Sequence, residues 1–229
     1  MGRATVHLGE EHRIIEKALR VLETLTQENA GEKLFPIEKW KSCLCFFRLI
    51  ADRCHHAKEE KVLLPALLQL DTLLGGGPQC TLFKELHMML PSYIQQVDAI
   101  NQEHGLKTKT SFGLDYGNVT NPVLEEHIIG RTYLGWMQKG VDAIHTDPSV
   151  ATENLLMRDT RGYLFLLKGH IQKEDQCLFV MADELLNQQK QNTLYEQMLL
   201  MERESVEPNL KKDLITEIQK YHHEYFGWS

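Results

Sequence analysis

The chain lacks any run of about 18 apolar residues, and its first residues include no basic segment leading into an apolar core, so neither a membrane span nor a signal peptide is expected. A cytoplasmic protein is the corresponding expectation. No Cys-x-x-Cys pair occurs. The five cysteines, Cys43, Cys45, Cys54, Cys80 and Cys177, are odd in number and scattered, which excludes a thiolate zinc or redox motif and leaves reduced, packing thiols. A basic stripe is also missing. With 25 Lys and Arg against 32 Asp and Glu, the net charge is −7, which argues against a dedicated nucleic-acid surface. No stretch alternates β-branched and polar residues, so nothing competes with an all-α fold.

What is present is a pattern that occurs twice, 115 residues apart. Glu10-Glu11-His12 returns as Glu125-Glu126-His127, and His55-x-x-Lys58-Glu59-Glu60 returns as His170-x-x-Lys173-Glu174-Asp175. In both copies the second histidine follows the first by 43 positions. A repeat unit of two helices cannot bury its apolar face alone, so the two copies belong to one domain. The economical arrangement is an up-down four-helix bundle with two-fold pseudo-symmetry and a dinuclear metal centre on its axis, because facing helices deliver inward imidazoles and carboxylates to one point.

Helical punctuation supports this. Leu8, Ile15, Leu19, Leu22 and Leu25 are spaced for a first helix over about 5–28, stopped at Asn29-Ala30-Gly31. Pro36 suits the first turn of a second helix that runs through Phe47 to Leu68, before Gly75-Gly76-Gly77-Pro78. Asn121-Pro122 with Glu125 opens a third helix, and Asp147-Pro148 opens a fourth that ends near Leu186. Residues from about 75 to 120 form an insertion: a helix over about 81–104, kinked at Pro91, then a loop through Asn118. His87 and His104 in it fall outside the duplicated frame and are not counted as ligands. Residues 1–187 are thus the bundle domain. Residues 188–229 are a helical extension packed on it, with helices over about 192–205 and from Pro208 to Phe226. The aromatic and histidine-rich tail from Tyr221 to Trp228 reads as packing over the outside or mouth of the bundle.

On a helix, residues four apart share a face, so His55 with Glu59 and His170 with Glu174 each grip one point. Leu44, Phe47, Ala51 and Val62 share the face of His55, whereas Asp52, Arg53 and Glu60 share that of His56. The repeat alignment agrees, because Lys58 on Lys173 places His55 on His170. His56 is therefore expected beside the cluster rather than as a ligand. Four imidazoles and two carboxylates without thiolate suit iron or manganese better than structural zinc. A polar core layer without a cation would leave several buried charges unpaired.

At these residues the sequence resembles the hemerythrin-like (His-His-Glu cation-binding) family. The matching stretches are Glu10 to Glu16, Asp52 to Glu60 with Leu63-Leu64-Pro65, Leu124 to Arg131, and His170 to Asp175 with Leu178-Phe179. The resemblance implies a non-haem, oxo- or hydroxo-bridged pair of iron ions, with manganese or zinc ranked behind iron. It carries over His12, His55, Glu59, His127, His170 and Glu174 as metal ligands. Oxygen-carrying members have a further His where this chain has Arg131, and a guanidinium does not ligate iron. They also use a carboxylate at the position of Asp175, where this chain offers Glu174 as well. The pattern is closer to six-ligand members associated with iron or oxygen sensing and with di-iron repair of nitrosative damage. The duplication also pairs Arg131 with Glu16, either as an ion pair near the cluster or as two solvated side chains.

Three functions remain in competition at the level of sequence. The first is a di-iron protein that binds or reacts with O2, peroxide or NO in sensing or stress response. The second is a di-iron peroxidase or NO-handling oxidoreductase, with Tyr163, one heptad before His170, as redox residue. The third is a metal-stabilised module whose insertion and extension bind a protein partner. The fold alone does not choose among them.

Overall fold

The computed structural model describes residues 1–27, 35–70, 120–146 and 149–227. Among the described residues every element is helical and there is no strand. The chain forms α1 (Arg3–Gln27), α2 (Ile37–Phe46), a π-helical segment Phe47–His56, a second π turn Glu59–Leu63, α3 (Leu64–Leu68), α4 (Thr120–Thr146) and α5 (Val150–Lys173). A third π turn, Glu174–Leu178, leads into α6 (Phe179–Leu185), followed by α7 (Gln188–Ser205) and α8 (Pro208–Phe226). From Ile37 to Leu68, and from Val150 to Leu185, the helical path is continuous. No helix among the described residues is long and apolar enough to cross a membrane.

The helices form where the spacing requires. In α1 the buried set Ala4, Leu8, His12, Ile15, Leu19 and Leu22 recurs at three and four residues, so one stripe faces inward. α5 starts at a capping box: Ser149 accepts from the Thr152 amide while the Thr152 hydroxyl accepts from the Ser149 amide. This box provides a helix start that Asp147-Pro148 was expected to supply; that dipeptide lies outside the described residues. So do Asn29-Ala30-Gly31, the insertion helix with His87 and His104, Gly75 to Pro78 and Trp228. Pro36 stands one residue before α2 rather than in its first turn. α7 begins earlier than expected, because Asn187 caps it by accepting from the Lys190 amide.

α4 packs along α5, α1 packs on α5 and α2, and α4 also packs on α2 and on the first π segment. Gly162 makes room for the Tyr133 ring between α4 and α5, since a Cβ there would stand 2.5 Å from it. Two apolar clusters fill the interior. One gathers Leu19, Leu22, Trp40, Phe46, Tyr133, Met137, Leu156 and Tyr163. The other gathers Leu8, Leu63, Leu67, Val123, Leu178, Phe179 and Met198. The duplicated histidines fall near the boundary of the two: His12 lies between Leu8 and Ile15, and His127 between Val123 and Ile129. They form a polar layer between two dry ones.

The extension packs across α1, with α7 also against the π segments and α8 against α2. Leu214 and Ile218 enter the first apolar cluster, and Tyr221 and Tyr225 pack against it. The Lys58 ammonium, fully buried, donates to Glu11 at 2.5 Å and to Glu202 of α7 at 2.9 Å. Lys211 of α8 donates to Glu202 at 2.7 Å.

Candidate metal centre

The polar layer brings together all six residues expected as ligands. His12, His55, Glu59, His127, His170 and Glu174 are each at most 2% exposed. Their donor atoms converge in two groups. In the first, His12 Nε2 lies 3.0 Å from His55 Nε2 and 3.2 Å from Glu174 Oε2, and His55 Nε2 lies 3.4 Å from Glu59 Oε1. In the second, His127 Nε2 lies 3.1 Å from His170 Nε2 and 3.5 Å from Glu59 Oε2, and His170 Nε2 lies 3.2 Å from Glu174 Oε1. Each carboxylate thus presents one oxygen to each group, and the two groups follow the two repeats.

None of the four Glu59 and Glu174 oxygens accepts a hydrogen bond, although all are buried. Leaving carboxylate oxygens buried and unpartnered is costly. Burial and the neighbouring Glu174 push the Glu59 carboxyl well above its ordinary range. Glu174 is held below its ordinary value despite burial, by His170 and His12. Burial drives His55 down to about 3 against the pull of Glu11, so it presents a neutral imidazole. Donor separations of 3.0–3.5 Å are what adjacent ligands adopt around a first-row cation with bonds of about 2.1 Å. The residues fit a pair of metal ions.

Behind each imidazole stands a carboxylate. His55 Nδ1 donates to Glu11 at 3.0 Å and His170 Nδ1 to Glu126 at 2.9 Å. His12 Nδ1 donates to Asp175 at 2.6 Å and His127 Nδ1 to Glu60 at 2.9 Å. These bonds turn Nε2 inward on all four rings; without a cation the His12 imidazole, raised to about 9 by Asp175 and Glu174 despite burial, keeps its second proton, which a metal ion would displace. Behind each carboxylate stands a cation: Lys58 on Glu11, Lys173 on Glu126, Arg13 on Asp175 and Arg131 on Glu60. Sequence reasoning missed this outer ring, although Glu11, Lys58 and Glu60 are duplicated or matched at 126, 173 and 175 as faithfully as the ligands.

Arg131 and Glu16, one of whose two readings was an ion pair, do not meet: Arg131 donates to Asp52 at 2.7 Å and to Glu60, while Glu16 receives Arg13 at 2.9 Å. His56 stands beside the second group, 6% exposed and stacked on His127 with ring centroids 4.0 Å apart.

Asp52, His56, His127, Arg131, Tyr163 and His170 help line a cavity of about 10 Å3, room for about one water. Tyr163 is buried among them, and burial pushes its phenol well above the ordinary value. A third group, His7, Glu11 and Glu202, also gathers potential ligands. The ammonium groups of Lys58 and Lys211 already occupy it, so it is an ion-pair network rather than a cation site. None of Cys43, Cys45, Cys54 and Cys177 belongs to either ligand group. Comparison with protein-family models, curated proteins and solved structures gives no match.

Proposed function

We propose that this chain is a non-haem di-iron protein built as a four-helix bundle of the hemerythrin-like type, and that it binds or reacts with O2, peroxide or NO in sensing or stress defence. The observation that carries the proposal is the set of four buried, unpartnered oxygens of Glu59 and Glu174, each facing a pair of imidazole Nε2 atoms. His12 and His55 would hold one ion, His127 and His170 the other, and the two carboxylates both. Iron is favoured because imidazole and carboxylate donors without thiolate suit it and the pair of sites invites redox chemistry. When bound, a ferrous pair supplies electrons to a small oxidant. The protein's own contribution is to fix the imidazole tautomers through Glu11, Glu60, Glu126 and Asp175, to exclude bulk water with the two apolar clusters, and to limit access to small molecules.

Metal analysis and visible absorption of aerobically purified protein test the proposal. Two iron ions per chain with ferric charge-transfer bands are expected; zinc alone, or no metal, would overturn it. Because Arg131 stands where oxygen carriers have a ligand, reduced protein should be oxidised by O2 rather than hold it reversibly. Recovery of the ferrous state on argon sparging would show a carrier instead. The place of Tyr163 on the cavity wall supports a second reading, a di-iron peroxidase or NO-handling oxidoreductase. Peroxide or NO turnover that falls in Tyr163→Phe is its test.

A further inference from the structure

We infer that Glu202, on the C-terminal extension, is a positioning residue of the metal centre: through Lys58 and Glu11 it sets how His55 is held, so the extension belongs to the site rather than covering it. This rests on the dinuclear reading above and deepens it. An unbroken line of polar contacts leads from α7 to the imidazole. Glu202 Oε2 accepts from Lys58 Nζ at 2.9 Å, Lys58 donates to Glu11 Oε1 at 2.5 Å, and Glu11 Oε2 accepts from His55 Nδ1 at 3.0 Å. A second ammonium joins from α8: Lys211 donates to Glu202 Oε1 at 2.7 Å and to Glu11 Oε1 at 3.5 Å. His7 Nε2 completes the group, 3.1 Å from Lys58 Nζ and 3.4 Å from Glu202 Oε2.

The balance of charge shows what Glu202 contributes. Two carboxylates, Glu11 and Glu202, meet two ammoniums, Lys58 and Lys211. Without Glu202 both ammoniums would face Glu11 alone, and a carboxylate drawn to two cations accepts less strongly from a third donor. The carboxylate behind a ligating imidazole fixes its orientation and raises its basicity, so a weakened Glu11 bond would reach the ion through His55. Anchorage does not account for these charges. Leu194 and Met198 already bury α7 in one apolar cluster, and Leu214 and Ile218 bury α8 in the other, while a buried ion pair used only to fasten helices is often matched or bettered by hydrocarbon. The repeats also part at this spot. His7, and Cys54 with its Sγ 4.0 Å from Lys211 Nζ, answer to Pro122 and Gly169 in the second copy. Lys58, Glu11 and His55 answer to Lys173, Glu126 and His170, so the inner order is common to both copies and the first is altered where α7 and α8 meet it.

Full-length protein, stripped with a chelator and loaded with Co(II), provides the test. Glu202→Gln keeps the size of the side chain and removes its charge. It should still bind two ions, with one binding step weakened by about 10-fold, the lower end of what an outer hydrogen-bond partner contributes. Among the hyperfine-shifted, exchangeable imidazole N–H protons seen by NMR, it should move the one that Glu11→Gln also moves. In a Glu11→Gln background, Glu202→Gln should cause no further loss; an equal loss there would overturn the inference, because it would mark a general field rather than action through Glu11. Glu202→Gln combined with Lys211→Met restores one ammonium to one carboxylate and should regain wild-type affinity to within about 2-fold. Additive losses in that double variant would overturn the inference, as would unchanged affinity and an unmoved proton in Glu202→Gln; both outcomes leave the dinuclear reading intact. If wild-type protein takes up fewer than two ions, or His12→Ala keeps both, the dinuclear reading falls and this inference with it.

Discussion

Glu59→Leu distinguishes a carboxylate kept for a cation from one kept for the fold. Both Glu59 oxygens are buried and accept no hydrogen bond. Replacing them with a hydrocarbon of similar size removes an unsatisfied polar group, which is worth about 1–3 kcal/mol. For a chain of this length each kcal/mol moves Tm by about 2–4 °C, so metal-free Glu59→Leu should melt roughly 2–12 °C above metal-free wild type. With metal present the sign reverses. Glu59 presents one oxygen to each ligand group, and a 100-fold loss of affinity corresponds to about 2.8 kcal/mol of lost stabilisation. Calorimetric melts of wild type and variant, each with chelator and with saturating iron(II), provide the four numbers required. Equal destabilisation of the variant in both conditions would refute the reasoning, because it would make Glu59 a partner of the fold itself.

Further predictions concern the surroundings of the centre. Glu60→Ala and Glu126→Ala should each keep both metals but bind them about 10–100-fold more weakly, whereas His55→Ala should lose at least one ion in a metal titration; the reverse ranking would contradict the assignment. Lys58→Met leaves Glu11 and Glu202 facing each other without the buried ammonium, at a cost of about 3–5 kcal/mol by urea denaturation; a loss under about 1 kcal/mol would class the network with surface pairs. Glu11, despite burial, is held below its ordinary 4.5 by His55 and Lys58, and Glu202 by His7, Lys211 and Lys58. Depressed folded-state values mean that their stabilisation is present above pH 4.5 and is lost as acid protonates them in the native state. The urea midpoint should therefore fall from about pH 5 downward, and less steeply in Glu202→Gln; a midpoint flat across that range would contradict the network.

The six inner residues were legible because a duplication repeats side-chain chemistry at fixed spacing, and because helical periodicity places residues four apart on one face. Element ends were less legible where the signal was a side-chain cap. Ser149 and Asn187 open helices that prolines and apolar spacing alone set a few residues away. The π turns were not legible at all. Pro65 stands just after the turn Glu59–Leu63, but the matching turn Glu174–Leu178 occurs with Val180 in that place, so proline is not the cause. What the two turns share is a buried carboxylate without a hydrogen-bond partner as their first residue.

The outer ring shows which properties the duplication has kept and by what means. Glu11 with Lys58 and Glu126 with Lys173 are matched residue for residue. Asp175 and Glu60 are matched too, but the cations behind them are not: Arg13 follows its histidine by one position and Arg131 by four. Different helix positions deliver a guanidinium to equivalent carboxylates, so the maintained feature is neutralisation of the outer acid rather than a particular residue. Arg131 serves Asp52 as well as Glu60, and Arg13 serves Glu16 as well as Asp175, so a cation is present at each outer acid but two of the four are shared. With all four imidazoles neutral, as ligation requires, the charge of the inner residues would be that of Glu59 and Glu174 when both are ionised. Under the proposed function two divalent ions would overcompensate it, leaving an excess positive charge in a low-dielectric layer where such an excess would be felt strongly. Anionic small ligands would then be favoured there over neutral ones of the same size.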